Sequence, residues 1–341
     1  MIKVENLTKE FKLRKKEPGF SGAIKSLFSN EFDVKTAVSD ISFEIDAGEV
    51  VGYIGSNGAG KSTTIKMMTG ILIPTSGKVI VNGRVPYENR QENAKDIGVV
   101  FGQRTQLWWD LALRETFTIL KDIYSIPDDL YESNMKFLNQ TLDLEEFMDR
   151  PVRTLSLGQR MRGDLAASLL HSPKILYLDE PTIGLDVVVK EKVRSSIKEI
   201  NQKFGTTIIL TTHDLSDIEE LCKRIIIIDQ GTKIYDGSLD DIKKKYGYMT
   251  TLEIQCKNDF TSPLNLKELF KEDKNLELHN LSEEELSEGI ENGKLIVTFN
   301  KNKITSSKIL SKVMENFEVL DFVLKESSIE DIIKKIYRNE V

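Results

Sequence analysis

The chain has 341 residues, of which 40% are apolar and 30% are charged, and its formal net charge at pH 7 is -7. This length predicts two domains, and the apolar share is large enough for a hydrophobic core in each. The acidic balance argues against a general nucleic-acid binder, because such a protein needs an excess of Lys and Arg to neutralise phosphates.

The N-terminal region predicts two strands separated by an insertion. Residues 2–5 form the first predicted strand, a loop then reaches Phe11, and the second strand is expected at 42–45. The insertion, residues 12–35, contains apolar residues at helical spacing beside basic ones. This pattern predicts an amphipathic helix against a membrane or a partner, or equally a helix packed on its own domain. The apolar residues are Phe20, Ile24, Leu27 and Phe28.

A glycine-rich motif, G-x-x-x-x-G-K-S, follows an apolar run and precedes a helical pattern. This order favours a phosphate-binding loop over a glycine turn that merely begins a helix. Glycines allow positive φ and close approach, so that successive N–H groups surround phosphates at a helix N-terminus. Lys61 is expected to reach the β- and γ-phosphates, Ser62 to hold Mg²⁺ and Thr63 to lie near the α-phosphate. The predicted loop comprises Gly55, Ser56, Asn57, Gly58, Ala59, Gly60, Lys61, Ser62 and Thr63.

The next segment alternates strands with helices. Strands are predicted at 77–83 and 96–103, and the second delivers Gln103 at its end. Apolar residues at helical spacing then extend over 114–147. Another helix is predicted to begin in the sequence LSLGQ at 155–159 and to end before the next proline.

Two carboxylates, Asp179 and Glu180, end the apolar strand that starts at Lys174. Ligands bind at the carboxyl ends of strands in open parallel sheets. Asp179 is expected to hold Mg²⁺ directly or through water, and Glu180 to orient and deprotonate an attacking water. The apolar residues before this pair and Pro181 after it disfavour a simple surface turn.

The remaining part of this domain contains a predicted amphipathic helix at 187–204 and a strand at 206–212. His213 follows that strand directly, and one more strand is expected at 225–229. Strands that alternate with helices predict an α/β domain with a mainly parallel sheet.

Cysteine usage and hydropathy limit the cellular setting. Cys222 and Cys256 lie far apart and form no C-x-x-C motif, so neither a disulfide framework nor a zinc site is predicted, and a reducing cytoplasm fits best. The N-terminus lacks an apolar signal core, and apolar runs such as 225–228 fall far short of the roughly 20 residues that span a bilayer. Any membrane role is therefore expected to come through a partner.

Several motifs occur in one order and together resemble the nucleotide-binding domain of ATP-binding cassette (ABC) transporters. The resemblance covers roughly residues 1–240 and implies a P-loop NTPase fold with a helical subdomain at about 104–172. Within this family the chain most resembles the ATPases of exporter-type systems that carry a separate C-terminal domain. The motifs are GSNGAGKST at 55–63, Gln103, LSLGQ at 155–159, ILYLDEP at 175–181 and His213.

The resemblance implies roles for residues around the phosphates. Gln103 would sense Mg²⁺ and water, and its amide has both donor and acceptor atoms. His213 would hydrogen-bond the γ-phosphate. Phe11 is the candidate to stack on adenine, with a packed core phenylalanine as the alternative.

The LSLGQ segment has an implied role in a dimer. Ser156, Gly158 and Gln159 would bind the γ-phosphate held by the opposite subunit, at a helix N-terminus, so two chains must meet. The family usually has glycine where Leu157 stands, and Gly158 is retained. Asp186 matches the family's loop after the second carboxylate and is a further candidate nucleotide contact.

Residues 241–341 predict a second, α+β domain. The element order β-α-β-β-α-β, followed by a final helix, is ferredoxin-like. No catalytic cluster stands out in this segment, and many activities share such folds. The predicted elements are strand 251–256, helix 264–270, strands 276–281 and 294–299, helix 304–317, strand 319–325 and helix 329–337.

The leading functional hypothesis is the ATPase subunit of an ABC exporter that uses ATP and Mg²⁺. The subunit is expected to act as a homodimer, or a heterodimer with a similar ATPase, on the cytoplasmic face of separate membrane permease subunits. One alternative is an ABC-type ATPase acting on nucleic acid or ribosomes, which the acidic charge disfavours. Another makes the C-terminal domain a ligand-binding regulatory module.

A pair of adjacent tryptophans, Trp108 and Trp109, closely follows Gln103. Adjacent residues of a strand point to opposite sides, so at least one ring is expected near the surface. The resemblance places the coupling helix of the membrane subunit in a groove beside this loop. Packing of both rings on the domain's own helices is the alternative.

Overall fold

A computed structural model describes residues 1–14, 32–102, 104–257 and 286–337. The chain forms two compact units that meet in sequence between Ser238 and Leu239, close to the predicted boundary after 240. Four predictions lie outside the described residues: the helix within 12–35, Gln103, and the helix and strand at 264–270 and 276–281.

The first unit contains nine strands and seven α-helices among its described residues. Its strands are β1 (Ile2–Arg14), β2 (Phe32–Ile45), β3 (Val50–Gly55), β4 (Ser76–Val81), β5 (Ile97–Phe101), β6 (Ile175–Asp179), β7 (Thr207–Thr211), β8 (Arg224–Asp229) and β9 (Thr232–Ser238). Its helices are α1 (Lys61–Met68), α2 (Arg90–Asp96), α3 (Leu113–Tyr124), α4 (Asp128–Leu142), α5 (Leu157–Leu169), α6 (Val187–Phe204) and α7 (Leu215–Leu221).

A six-stranded sheet in the order β5-β6-β7-β3-β8-β9 forms the centre of this unit. All neighbouring strands are parallel except β8 and β9, which are antiparallel. The register aligns Phe101, Asp179 and Thr211 across β5, β6 and β7. Because parallel strands end on the same side, the polar residues that follow β3, β6 and β7 meet at one edge of the sheet.

A second sheet, in the order β2-β1-β4, is antiparallel. The prediction of short strands at 2–5 and 42–45 was wrong in length, because β1 continues to Arg14 and β2 begins at Phe32. In the outer part of this hairpin Phe11 pairs with Lys35. Many residues there are exposed on both faces, so the alternation of apolar and polar residues that marks a half-buried strand is missing.

Three short elements of the first unit escaped prediction, namely α2, α7 and β9. The seven residues of α2 include only one apolar residue, Ala94, so they show no helical period. The seven residues of α7 are mainly polar and too few to show a clear helical period. Strand β9 has little buried surface and follows β8 through a turn in which Gln230 and Gly231 both have positive φ. That turn makes β9 antiparallel to β8, which is how hairpin strands pair.

The second unit contains an antiparallel four-stranded sheet in the order β11-β12-β10-β13. Its core includes Leu252, Ile254, Val297, Phe299 and Ile309. Strand β11 was not predicted; it pairs with β12 through a turn of Asn292 and Gly293, both at positive φ. The ferredoxin-like assignment stays a prediction. The elements are α8 (Leu239–Tyr246), β10 (Met249–Cys256), β11 (Leu286–Glu291), β12 (Lys294–Asn300), α9 (Ser306–Asn316), β13 (Val319–Glu326) and α10 (Ile329–Tyr337).

Within the described ranges, none of the helices combines the length and the apolar character that crossing a bilayer requires.

Candidate active site

The glycine loop lies between β3 and α1, as the sequence predicts. Gly58 and Gly60 have φ values of 84° and 106°, a region that side chains with a Cβ rarely adopt. A Cβ on Gly60 would also lie 2.5 Å from the carbonyl oxygen of Ala37, and one on Gly55 would lie 2.8 Å from that of Ile228. These glycines therefore allow the tight turn and the close packing that put a helix N-terminus, with its N–H donors, at the end of β3.

Side chains and backbone groups hold the loop in shape. The Ser56 hydroxyl donates to Asp229 at 2.9 Å, and the Ala59 N–H donates to the Ser56 carbonyl at 3.1 Å. Asn57 lines a cleft beside the loop, whereas Ala59 is buried. The loop is thus preorganised by a hydrogen bond within its own backbone and by one to the end of β8.

Lys61 is buried beneath the loop, and its ammonium donates to the carbonyls of Gly55 at 2.7 Å and Ser56 at 3.2 Å. Burial lowers the pKa of Lys61, and the nearby carboxylates of Glu180 and Asp179 oppose this effect. A phosphate bound in the loop would supply further negative charge to this ammonium. Lys61 is therefore placed for charge-assisted contact with a phosphate.

Asp179 accepts two hydroxyl hydrogen bonds at the sheet edge. Its Oδ2 accepts from Ser62 at 3.0 Å, and its Oδ1 accepts from Thr211 at 2.5 Å. Carboxylate and hydroxyl oxygens suit Mg²⁺, which binds through few protein ligands and takes others from substrate phosphates and water. The donor set fits that ion, although the described residues contain no cluster of three or more His, Cys, Asp or Glu side chains suited to a metal. Thr211 was not predicted as a site residue, although its place at a strand end was a usable signal.

Glu180 and His213 form a direct contact, with Oε1 and Nε2 2.6 Å apart. Glu180 has a φ of 58°, a left-handed conformation that is costly for a residue with a Cβ. Its N–H donates to the Thr211 carbonyl at 2.9 Å, and a Cβ on Gly102 would lie 2.1 Å from its carbonyl oxygen. The surrounding backbone thus holds a strained carboxylate residue at the end of β6.

Two clefts of about 580 Å³ and 470 Å³ adjoin the start of α1 and share Phe11, Ser62, Thr63 and Glu180 among their lining residues. Phe11 is half-buried, and the ammonium of Lys9 lies 5.3 Å from its ring centroid. The structure therefore places this ring beside the phosphate loop rather than within the main core.

The LSLGQ segment begins α5. Ser156 caps the helix by accepting from the Gln159 N–H at 3.2 Å, and the Gln159 side chain accepts from the Ser156 N–H at 3.0 Å. Gly158 packs on Val189, because a Cβ there would lie 2.8 Å from a Val189 methyl group. Among the described residues, none of this segment lines either cleft beside the phosphate loop.

Asp186 caps α6, and its carboxylate accepts from the Val189 N–H at 3.0 Å. This contact gives the side chain a structural role at the helix start. Asp186 is not one of the described residues that line the two clefts. The structure therefore does not bring it to the phosphate loop of its own chain.

The loop after Gln103 is tied to α5. Asp164, on that helix, accepts from the Thr105 hydroxyl at 2.9 Å and from the Gln106 N–H at 3.0 Å. The tryptophans follow, with 39% of Trp108 and 49% of Trp109 exposed. Asp164 was not predicted as a site residue, because a single acidic residue in a helical pattern carries no signal of burial.

The chain is similar in sequence to proteins of one known family. A family model described as "ABC transporter" matches residues 38–183. The chain is 32% identical over 215 residues to the ABC transporter ATP-binding protein NatA of Bacillus subtilis (strain 168), an alignment that covers 63% of this chain and 87% of that protein. It is 33% identical to the linearmycin resistance ATP-binding protein LnrL of the same organism, over 64% of this chain and 70% of that protein.

Solved structures show the same similarity. A dimeric post-hydrolysis state of the ATP-binding cassette MJ0796, bound to ADP and Pi, is 26% identical, with a TM-score of 0.58 over 70% of this chain and 99% of that chain. Another, an ATP-binding subunit of an ABC transporter, is 25% identical, with a TM-score of 0.59 over 72% of this chain and 93% of that chain. These matches cover about as many residues as the first unit contains.

Proposed function

The chain belongs to the ABC transporter family and is an ATP-binding ATPase of that family; from this premise, we propose that it powers an exporter. It would act on separate membrane permease subunits at the cytoplasmic face of the membrane. ATP hydrolysis, on which this proposal depends, is supported by the convergence of five side chains at one edge of the central sheet, namely Lys61, Ser62, Asp179, Glu180 and His213.

Each of these residues has a distinct task in hydrolysis. Lys61 would bind the β- and γ-phosphates, while Ser62 and Asp179 would hold Mg²⁺. A bound Mg²⁺ neutralises phosphate charge. Glu180 would orient the attacking water and take its proton, and His213, in contact with Glu180, would hydrogen-bond the γ-phosphate. Gln103 keeps its proposed role as a sensor of Mg²⁺ and water, and Phe11 keeps its proposed role as the adenine contact.

Dimerisation completes the proposed site. In a single chain the LSLGQ segment does not line the clefts beside the phosphate loop, so its helix N-terminus is available to the nucleotide of a second chain. An exposed apolar patch adjoins this segment, with Leu157 and Ile183 both 37%, Val188 75% and Val187 80% exposed. A second cassette would cover this patch, as apolar surface of this kind favours association. The related MJ0796 cassette is dimeric in two solved structures.

The tryptophans are the proposed contact with the permease. Half-exposed Trp side chains are enriched where partners bind, and both follow the loop that carries Gln103. The Arg160 guanidinium lies 5.6 Å from the ring centroid of Trp109, so α5 contacts the same surface. Movement of this loop with nucleotide would change the surface offered to a membrane subunit.

A regulatory role is a second candidate function for the second unit. Similarity to the methionine import ATP-binding protein MetN 2 of Enterococcus faecalis (strain ATCC 700802 / V583) extends over 300 residues, or 87% of this chain, and so reaches beyond the first unit. Small-molecule ligands that change the ATPase rate of the full chain, but not of residues 1–238, would support this role.

Glu180→Gln tests the proposed function. The amide keeps the shape of the carboxylate but cannot accept the proton, so we expect an ATP-bound dimer that hydrolyses slowly. Light scattering coupled to gel filtration in ATP and Mg²⁺ measures the dimer, and phosphate release measures turnover. The control is Glu199→Gln, which lies on the exposed surface of α6 about three turns beyond the proposed dimer patch and should behave as wild type. A Glu180→Gln monomer that turns over at the normal rate would contradict the assignment.

A further inference from the structure

A fully buried carboxylate, Asp217, lies on α7, and 0% of the residue is exposed. Its Oδ2 accepts from the hydroxyl of Thr182 at 2.5 Å and from that of Thr212 at 2.9 Å. Its Oδ1 accepts from Nε of Arg194 at 2.5 Å. One carboxylate therefore joins the loop after β6, the end of β7 and helix α6.

The two threonines stand next to the proposed hydrolytic pair. Thr182 lies two residues after Glu180, and Thr212 directly precedes His213. Because the same oxygen of Asp217 accepts from both hydroxyls, it fixes the two loops relative to each other. The Glu180–His213 contact of 2.6 Å joins the same two loops.

The backbone conformation of Glu180 requires restraint, and the Asp217 carboxylate, which anchors the two loops, can supply it. Residues in a left-handed conformation persist where the surrounding structure over-determines them, and such strain clusters at active sites. The turn after Glu180 closes with the Ile183 N–H donating to the Glu180 carbonyl at 3.3 Å. Thr182 lies within this turn, so its bond to Asp217 restrains the strained segment.

Electrostatics indicates that the role of Asp217 is to position its neighbours rather than to stabilise the fold. Burying a carboxylate is costly unless it is paired and hydrogen-bonded, and apolar residues often serve stability as well. Arg194 supplies the pairing charge and also contacts Glu220 at 3.3 Å and Asp214 at 3.6 Å. The network satisfies the buried charge of Asp217 and leaves its Oδ2 to accept from the hydroxyls of the two threonines.

We propose that Asp217 is a positioning residue for ATP hydrolysis, which holds Glu180 and His213 in register through Thr182 and Thr212. This inference rests on the proposed roles of Glu180 and His213. Misplacement of reacting groups by about 1 Å can cost about 100-fold in rate. Loss of the anchor should therefore lower kcat while the phosphate loop continues to bind ATP.

The test uses the full-length chain and two independent variants. Asp217→Asn replaces one carboxylate oxygen by an NH₂ donor. It therefore removes either the acceptor for the two threonine hydroxyls or the acceptor for Arg194. The double variant Thr182→Val, Thr212→Val removes both hydroxyls and leaves the Asp217–Arg194 pair. In both we expect kcat to fall about 10- to 100-fold, with KM and the separately measured Kd for ATP unchanged within about threefold.

The matched control is Glu220→Gln, which removes an outer partner of Arg194 and leaves both threonine contacts in place. Its kcat should equal that of wild type. Thermal melting of all variants separates loss of rate from loss of folding, and the threonine variant keeps the test decisive if Asp217→Asn does not fold.

Two results would overturn the inference. One is a wild-type kcat in the folded threonine variant. The other is a parallel loss of kcat, ATP affinity and melting temperature in both variants, which is what a purely structural role predicts. Glu180→Gln is measured alongside, because a normal rate there contradicts the proposed function itself rather than the role of Asp217.

Discussion

The titration of Asp164 offers a quantitative test of how the loop after Gln103 is held. Only 5% of this residue is exposed, and its carboxylate accepts from Thr105 and from the Gln106 N–H. Burial raises the pKa of Asp164 to about 6, from an ordinary value of 3.8, and the two hydrogen bonds and Arg160 only partly oppose this.

The sign of the effect follows from proton linkage. Between about pH 4 and pH 6 the folded protein binds a proton at Asp164 that the unfolded chain has released, so this group's contribution to the unfolding free energy falls as the pH rises. Each pH unit corresponds to about 1.4 kcal/mol, which gives about 3 kcal/mol over the whole window. Below this window the contribution is fully present, and above it the contribution is lost.

Asp164→Asn removes this titration while its Oδ1 remains able to accept from Thr105 and Gln106. The unfolding free energy of the variant should therefore rise relative to wild type by about 3 kcal/mol between pH 4 and pH 7. Urea unfolding at a series of pH values measures the difference. Trp fluorescence reports on the first unit alone, because both tryptophans of the chain, Trp108 and Trp109, lie in it.

The control is Asp122→Asn, which makes the same substitution at an exposed carboxylate on α3 and should leave the unfolding free energy at pH 7 within about 0.5 kcal/mol of wild type. If the Asp164→Asn and wild-type stabilities instead change in parallel from pH 4 to pH 7, the carboxylate is not desolvated and the reasoning fails.

Three further predictions concern nucleotide and partner binding. Lys61→Ala should weaken ATP binding at least about tenfold, because a charge-assisted hydrogen bond contributes about 1.5–3 kcal/mol; titration with a fluorescent nucleotide measures this, and wild-type affinity would refute the phosphate-loop assignment. Replacing Trp108 and Trp109 together by Ala should weaken co-purification with the permease but leave ATPase activity intact; unchanged assembly and transport would place the contact elsewhere. Residues 1–238 alone should bind ATP as the full chain does, and loss of affinity in that folded fragment would show that the second unit completes the site.

Local sequence patterns were sufficient for the phosphate loop and the carboxylate strand. In the loop, the glycines and Lys61 act within a few residues of one another, and short apolar runs mark the buried strands β3 and β6. Helices α5 and α6 were predictable because each combines apolar spacing with a capping residue, Ser156 or Asp186. These features depend on residues that are close in sequence, so the amino-acid sequence is enough to predict them.

Only the tertiary structure brought Thr211 to Asp179, Thr182 and Thr212 to Asp217, and Phe11 to the cleft. All of these contacts except Thr212–Asp217, whose residues are five apart, join segments that are distant in sequence. Periodicity indicates which face of an element is buried, but it does not specify which strands are neighbours or how they are aligned. The order β6-β7-β3 and the register of Asp179 with Thr211 decide those contacts, because they set which polar residues emerge together at the carboxyl ends of the sheet.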